Sequence, residues 1–381
     1  MKFKILFILV LVAFFTLSFQ NCGGSLKAMV SSSELASLVT GCFEDPSLGA
    51  CIFLKSPSTM AGVSATGLSA EALPTLQTYG VQIPASFDPH QLDGDVVLQS
   101  SVPDAGFSGS LKVRHSSENQ PLLAHLMTYI WLTEAKRFFS VAGVNYLSGR
   151  GLRVVVEATQ TGFASSNKTI YLKREPTAQP AAYDASLAIH LFGEANIFFA
   201  TSGAAYNLSI ESKHIDCGSG GQLLRNNCCS SKRGCSKAIT AGLSDHLVNS
   251  LFPQNTGIGD AFSATGRGLE VCGLARNPLA LRTVTAEQAY RACSASARVG
   301  EVYAMGAFYS SLWWRVRDQV LASQPGRLDD FNRFFARALA LVEGRDDFVS
   351  FHTKLLQLDQ TEFNSAFGAL FTSAMSQAAV E

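Results

Sequence analysis

His190-Leu191-Phe192-Gly193-Glu194 puts an imidazole and a carboxylate four residues apart, on one side of any helix that contains them. The spacing is that of H-E-x-x-H. There, two histidines hold zinc and the glutamate beside the first acts as general base in hydrolysis. In this chain the first histidine stands, the base position is Leu191, and the second ligand position is Glu194. A carboxylate can ligate zinc, whereas a leucine cannot move a proton. The segment reads either as a hydrolytic metal centre with parts replaced or as a polar pair on a buried helix, satisfied by each other and by Asp245 or Tyr303.

The elements that must position this pair follow from hydrophobic spacing. Residues 183–199 form a long apolar helix carrying His190 and Glu194. Upstream, residues 122–142 predict a helix, with Leu123, Leu126, Met127, Ile130, Trp131 and Phe138 at 3.6-type intervals. Residues 152–156 are a β-branched strand and 169–172 a second, and the Gly-, Ser- and Asn-bearing stretch 162–168 predicts a turn joining them as a β-hairpin. Downstream, residues 237–251 predict a second apolar helix, ended by Phe252-Pro253. Thr285-x-x-Gln288 has the form of a capping box. Further helices are expected over 284–297, 302–323, 328–343, 348–356 and 361–375. Residues 25–104 are weakly periodic, with short strands such as Val96-Val97-Leu98. Strands first and helices after is an α+β arrangement.

Four segments resemble one family, in its order. Thr169-Ile170-Tyr171 fits a Thr-Ile-Tyr-like strand. Residues 184–195, Asp-Ala-Ser-Leu-Ala-Ile-His-Leu-Phe-Gly-Glu-Ala, fit an Asp leading into V-I-H-E-[FY]-G-H-A. Residues 238–245, Ala-Ile-Thr-Ala-Gly-Leu-Ser-Asp, fit A-I-N-E-G-x-x-D. Residues 302–309, continuing to Trp313-Trp314 and Arg317, fit V-H-x-x-G-E-I-W-x-x-x-L-W-x-x-R. Over residues 121–375 the chain resembles the thermolysin- and fungalysin-like zinc peptidases. The resemblance implies a zincin-like fold, with an N-terminal helix-and-sheet lobe that includes the active-site helix, then a mainly helical C-terminal lobe. It implies zinc-ligand positions at His190, Glu194 and Ala241, the base at Leu191, the oxyanion-stabilising position at Tyr303, and a supporting carboxylate at Asp245. The glutamate that follows the late helix's glycine is replaced by Ala307, and the segment positioning substrate backbone falls at Gln160-Thr161.

In such a centre zinc lowers the pKa of a bound water and polarises the carbonyl, while the glutamate takes the proton. Losing a general base alone costs about 10²–10⁴-fold in rate, and Ala241 offers no ligand atom. His246 lies about 140° further round the helix than Ala241, so it is expected to face away. No catalytic residue, metal ligand set or cofactor is therefore expected. Zinc enters only in the alternative of an active peptidase with a non-standard site. His115, His125, His214 and His352 are expected at the surface or satisfied, and Trp313 and Trp314 in the core. No G-x-x-x-x-G-K-[ST] loop or G-x-S-x-G elbow offers another chemistry.

Met1-Lys2-Phe3-Lys4 followed by an apolar run from Ile5 to Phe19 predicts a secretory signal, shorter than the ~20 residues of a membrane span. The run ends in Asn21-Cys22-Gly23, which resembles the lipidation site of bacterial lipoproteins, although Asn21 is larger than the usual residue there. Simple secretion and a retained anchor are the alternatives. With Cys22 lipidated, eight of the nine cysteines remain: Cys42, Cys51, Cys217, Cys228, Cys229, Cys235, Cys272 and Cys293. An even set in an exported chain predicts disulfides, with Cys42 and Cys51 expected to pair; a zinc–thiolate cluster is the alternative for Cys217 to Cys235. Thirty basic and thirty acidic residues cancel, so nothing points to nucleic acid. Hydrophobic residues at 47% allow a large core.

The expected organisation is a signal over 1–21, a lipid-tethered segment over 22–104 and a peptidase-like domain over 105–381. The leading functional expectation is an inactive peptidase homologue on the bacterial outer membrane or cell surface, held by its lipid and acting by binding a peptide or protein in the old cleft or by scaffolding within the envelope. Periplasmic or secreted location, an active metallopeptidase and a purely structural lipoprotein are the alternatives.

Overall fold

The computed structural model describes residues 88–92, 94–103, 119–174, 180–206, 232–252 and 301–377, with short stretches at 39–40, 50–53, 79–81, 113, 270–271 and 274–275. Near the N-terminus β1 (Val39–Thr40), β2 (Ala50–Ile52) and β3 (Tyr79–Val81) make a small antiparallel sheet in the order β1-β3-β2. The main sheet has β4 (Gln91–Leu92), β5 (Val96–Gln99), β6 (Leu152–Ala158), β7 (Gly162–Ala164) and β8 (Thr169–Lys173), ordered β4-β5-β6-β8-β7. Helix α1 (Gln120–Val141) lies between β5 and β6, and α2 (Ala185–Ala200) follows β8. Then come α3 (Lys232–Leu251), the two-residue strands β9 (Glu270–Val271) and β10 (Leu274–Ala275), α4 (Glu301–Ser323), α5 (Leu328–Ala338), α6 (Phe348–Glu362) and α7 (Gly368–Gln377). The class is mixed α+β.

Alternation orients the sheet. Val96 and Leu98 on β5, and Leu152, Val154 and Val156 on β6, are buried, while Val97 and Arg153 face out. The expected hairpin between residues 152–156 and 169–172 does not form. β6 and β8 run parallel, with Val154 opposite Ile170. The antiparallel partner of β8 is β7, which occupies part of the stretch expected to be turn. The chain can do this because Glu157 adopts a left-handed φ of 66° at a register shift, and Gly162 starts β7 at φ 150°. β5 pairs parallel with β6. The sheet therefore begins upstream of the 104/105 boundary expected from the sequence. Ile52 and Phe53 also join the core, Phe53 with its ring 5.6 Å from Tyr183.

The helices meet tightly in two places. A Cβ on Gly193 of α2 would lie 3.0 Å from the Cα of Ser244 on α3, and one on Gly242 of α3 would lie 2.5 Å from the carbonyl oxygen of Gly306 on α4. Side-chain loss at both points lets the backbones approach. The C-terminal lobe is an aromatic core: Trp313 is fully buried and its ring lies 5.3 Å from Phe335 and 4.6 Å from Phe371. The break expected between helices over 348–356 and 361–375 falls later, at 363–367. α6 ends at Glu362, Asn364 and Ser365 take left-handed φ values of 56° and 57°, and the buried Asp359 carboxylate accepts from the backbone N–H of Phe367 and Gly368 to start α7. Residues 339–341, expected as helix, tighten into a 3₁₀ turn. The helix and capping box expected over 284–297 lie outside the described residues. Among the described residues no helix is long and apolar enough to cross a membrane.

Gly242→Ala should destabilise the protein by about 1–3 kcal/mol in urea unfolding, because the added methyl meets backbone that cannot yield. Gly326→Ala, with nothing within 4 Å of its Cβ, is the control and should be near neutral. Equal stability of the two variants would contradict the close packing.

Candidate functional site

Asp184 starts α2. Its carboxylate accepts from the backbone N–H groups of Ser186 at 2.9 Å and Leu187 at 3.3 Å, so the helix begins at a fixed residue. That fixes which face His190 and Glu194 present. Gly193, on the next turn, allows α3 close enough for a side chain as short as Asp245 to reach α2. The result is a bond of 2.7 Å between His190 Nδ1 and Asp245 Oδ1. Both side chains are buried, at 4% and 2% exposure. On the other edge of the ring, His190 Nε2 lies 3.6 Å from Glu194 Oε1, too long for a direct hydrogen bond. The ring therefore sits between two carboxylates. Nδ1–H donates to Asp245, and hydrogen on Nε2 as well would leave both carboxylates facing a donor. Tyr206 closes the end of the site, its hydroxyl donating to the Glu194 carbonyl at 3.2 Å.

The remaining positions are apolar. Leu191 is 5% exposed and Ala241 1% exposed. Ala241 lies one helical turn before Asp245, and a Cβ on Gly306 would come within 2.8 Å of its methyl. A longer side chain at 241 has little room there. Tyr303 and Ala307 lie on the first turns of α4, but their side chains are outside the described residues. Gln160 and Thr161 form the turn between β6 and β7, and Thr161 Oγ1 accepts from the Lys173 N–H at 3.1 Å, tying the turn to β8. Among the described residues no group of three or more histidines, cysteines or carboxylates is arranged to hold a metal.

His246 is turned away from this site, as its offset from Ala241 requires, and packs 4.7 Å from the Phe335 ring. Trp313 and Trp314 are buried. Cys235, on the first turns of α3, is disulfide-bonded. Cys22, Cys42, Cys217, Cys228, Cys229, Cys272 and Cys293, the side chain of Cys51, and His115 and His214 lie outside the described residues.

One polar group was not legible in the sequence. His125 on α1 bridges to the segment around β5: its Nε2 donates to the Pro89 carbonyl, so its Nδ1 accepts from Ser100 Oγ at 2.9 Å. Burial pushes its pKa down to about 4, keeping the ring neutral. A hydroxyl bonded to a neutral imidazole has the form of a nucleophile and base. The adjacent amides are spent, however. Ser101 N–H goes to Glu157, and Val102 N–H goes to Ser100 Oγ itself. Neither is left to hold an oxyanion, and the contact works as a staple between helix and sheet. No spacing rule links residues 89, 100 and 125, so only the fold reveals it.

The two contacts of His190 differ in strength. Asp245→Asn removes the charge from a buried hydrogen bond and should cost about 1.5–3 kcal/mol. Glu194→Gln, at 3.6 Å, should cost less than about 1 kcal/mol. Urea unfolding of both variants checks this, and a larger loss for Glu194→Gln would show that Asp245 is not the anchor of the ring. No protein-family model matches the chain, and no curated protein matches it.

Proposed function

We propose that the chain is a catalytically inactive homologue of the thermolysin- and fungalysin-like zinc peptidases. It would be held on the bacterial envelope, at the outer membrane or cell surface, by a lipid on Cys22, and would act by binding or scaffolding. The observation that carries this reading is the contact between His190 and Asp245. The resemblance assigns His190 to the first ligand position and Asp245 to the carboxylate that supports a ligand histidine from behind. The two lie 55 residues apart in sequence and on different helices, and they meet with the histidine's Nδ1 toward the carboxylate. A pair met by chance in a wrong register has no reason to do so.

The same geometry argues against catalysis. Leu191 cannot act as base, and Ala241, packed against Gly306, supplies no ligand atom. His190 Nε2 and Glu194 alone would hold zinc weakly compared with three ligands. Because Leu191 and Ala241 are buried, the centre is filled with apolar side chains. A peptide or protein ligand would therefore meet the rim of the cleft, along the β7 edge, rather than its floor.

Reconstruction tests the register. The protein as it stands should carry no stoichiometric zinc and should not hydrolyse an unfolded protein substrate. Leu191→Glu, Glu194→His and Ala241→Glu together place a base and two ligands around His190. Without metal this variant should be less stable, because it buries new polar groups. Zinc at about 1,000 times its Kd should add about 4 kcal/mol and raise Tm accordingly. A folded triple variant indifferent to zinc would reject the alignment. Tight zinc and activity in the parent chain would replace this reading with the active-peptidase alternative. Independently, Cys22→Ser should release the protein from the membrane fraction.

A further inference from the structure

His246 follows Asp245 on α3 but projects into the C-terminal lobe. Its ring is fully buried, 5.5 Å from Trp313 and 6.4 Å from Trp314 on α4, and 6.1 Å from Phe331 and 4.7 Å from Phe335 on α5. Neither ring nitrogen has a hydrogen-bond partner among the described residues. This is an unusual place for an imidazole, because a buried polar group without a partner costs free energy that a phenyl ring would not.

The charges around it make the position worse for a cation. From α4, the guanidinium carbon of the buried Arg317 lies 4.7 Å from the Trp314 ring centroid, and its charge acts on His246. Arg315 lies about 160° round α4 from Arg317, whereas Asp318, one turn on, lies about 40° from Trp314 and borders that face. On α5, Asp329, Arg333 and Arg337 are exposed and Asp330 is half-exposed, while Phe331 and Phe335 are the residues turned inward. On α3 itself, Asp245 is bonded to His190. Helix α7, which packs Phe371 on Trp313, carries no titratable side chain.

We propose that His246 is an acid-sensitive latch: taking up a proton parts the second half of α4 and α5 from α3, while the Asp245–His190 bond keeps α3 on α2. The direction follows from the geometry. Burial first, and Arg317 second, hold the folded pKa well below the ordinary 6.5. Between that lowered value and about 6.5 the open state binds a proton that the closed state refuses. The latch is therefore at full strength above about pH 6.5 and weakens as pH falls, by up to tenfold in the opening constant per pH unit. His125 and His352 are shifted in the same direction by burial, so the experiment must isolate His246.

Hydrogen–deuterium exchange of the full chain at pH 7 and pH 5, corrected for intrinsic rates, provides the test. Protection over residues 313–338 should fall roughly 30-fold more than protection over α1 and β6. In His246→Phe, which fills the site with an apolar ring, that excess loss should disappear, with no loss of stability at pH 7. Acid loosening that survives in His246→Phe, or that is spread equally over α1 and the sheet, would overturn the proposal. If the phenylalanine variant does not fold, slow exchange at the histidine C2 position in the unmodified protein decides. A His246 titrating near pH 6.5 would reject the latch, and one still neutral at pH 5 would support it.

Discussion

The arrangement depends on backbone proximity between α2, α3 and α4. Gly193 against Ser244 sets the first spacing, and Gly242 against Gly306 sets the second. Aspartate is too short to span a normal interhelical distance of 8–10 Å unless the helices come close at that level. Gly193, three residues after His190, and Ser244, next to Asp245, provide that approach. Once α2 and α3 are this close, His190 and Asp245 are within bonding distance and water is excluded from both. The polar contact is thus a consequence of the packing.

Burying such a pair is not itself a route to stability. Desolvation of the two groups offsets much of their attraction, and an apolar pair of the same volume would often do as well. What the pair does provide is register. A one-residue slip of α3 against α2 would turn Asp245 by about 100° and strand a charge in the core. The leucine and alanine at 191 and 241 carry no such constraint. Both are buried apolar groups that fill the space around the pair.

The sequence made some of this legible and concealed the rest, for physical reasons. Helices α1 to α4 were readable because their apolar residues repeat at 3.6 intervals, and Asp245 was among the partners that the sequence offered for His190. The direction of strand pairing was not. Side chains alternate identically in parallel and antiparallel strands, so residues 152–156 and 169–172 carry no mark of which they are. The crossing that makes them parallel depends on a left-handed Glu157, a conformation that a glutamate rarely takes. The break between α6 and α7 was expected a few residues too early: Phe363 and Phe367 keep helical spacing, yet both pack on Phe334 from a turn. The strand at residues 96–98 was legible from its β-branched run, but β4 and β5 are only two and four residues long, too short to show that they belong to the same sheet as β6.

Asp245 and His246 show how much a helix can separate in one step. They are neighbours in the chain, yet about 100° apart around the axis. That angle sends one into an ionic contact with α2 and the other into an aromatic enclosure against α4 and α5. Helix α3 is consequently held to the sheet lobe by a polar bond and to the helical lobe by ring packing and the Gly242–Gly306 approach. The two attachments respond differently to their surroundings. Around the imidazole, burial and the Arg317 charge oppose a proton. The carboxylate–imidazole bond on the other side is a direct 2.7 Å contact between two buried groups. A helix joined to its neighbours by such unlike contacts has a preferred side on which to open, and that side is the one facing α4 and α5.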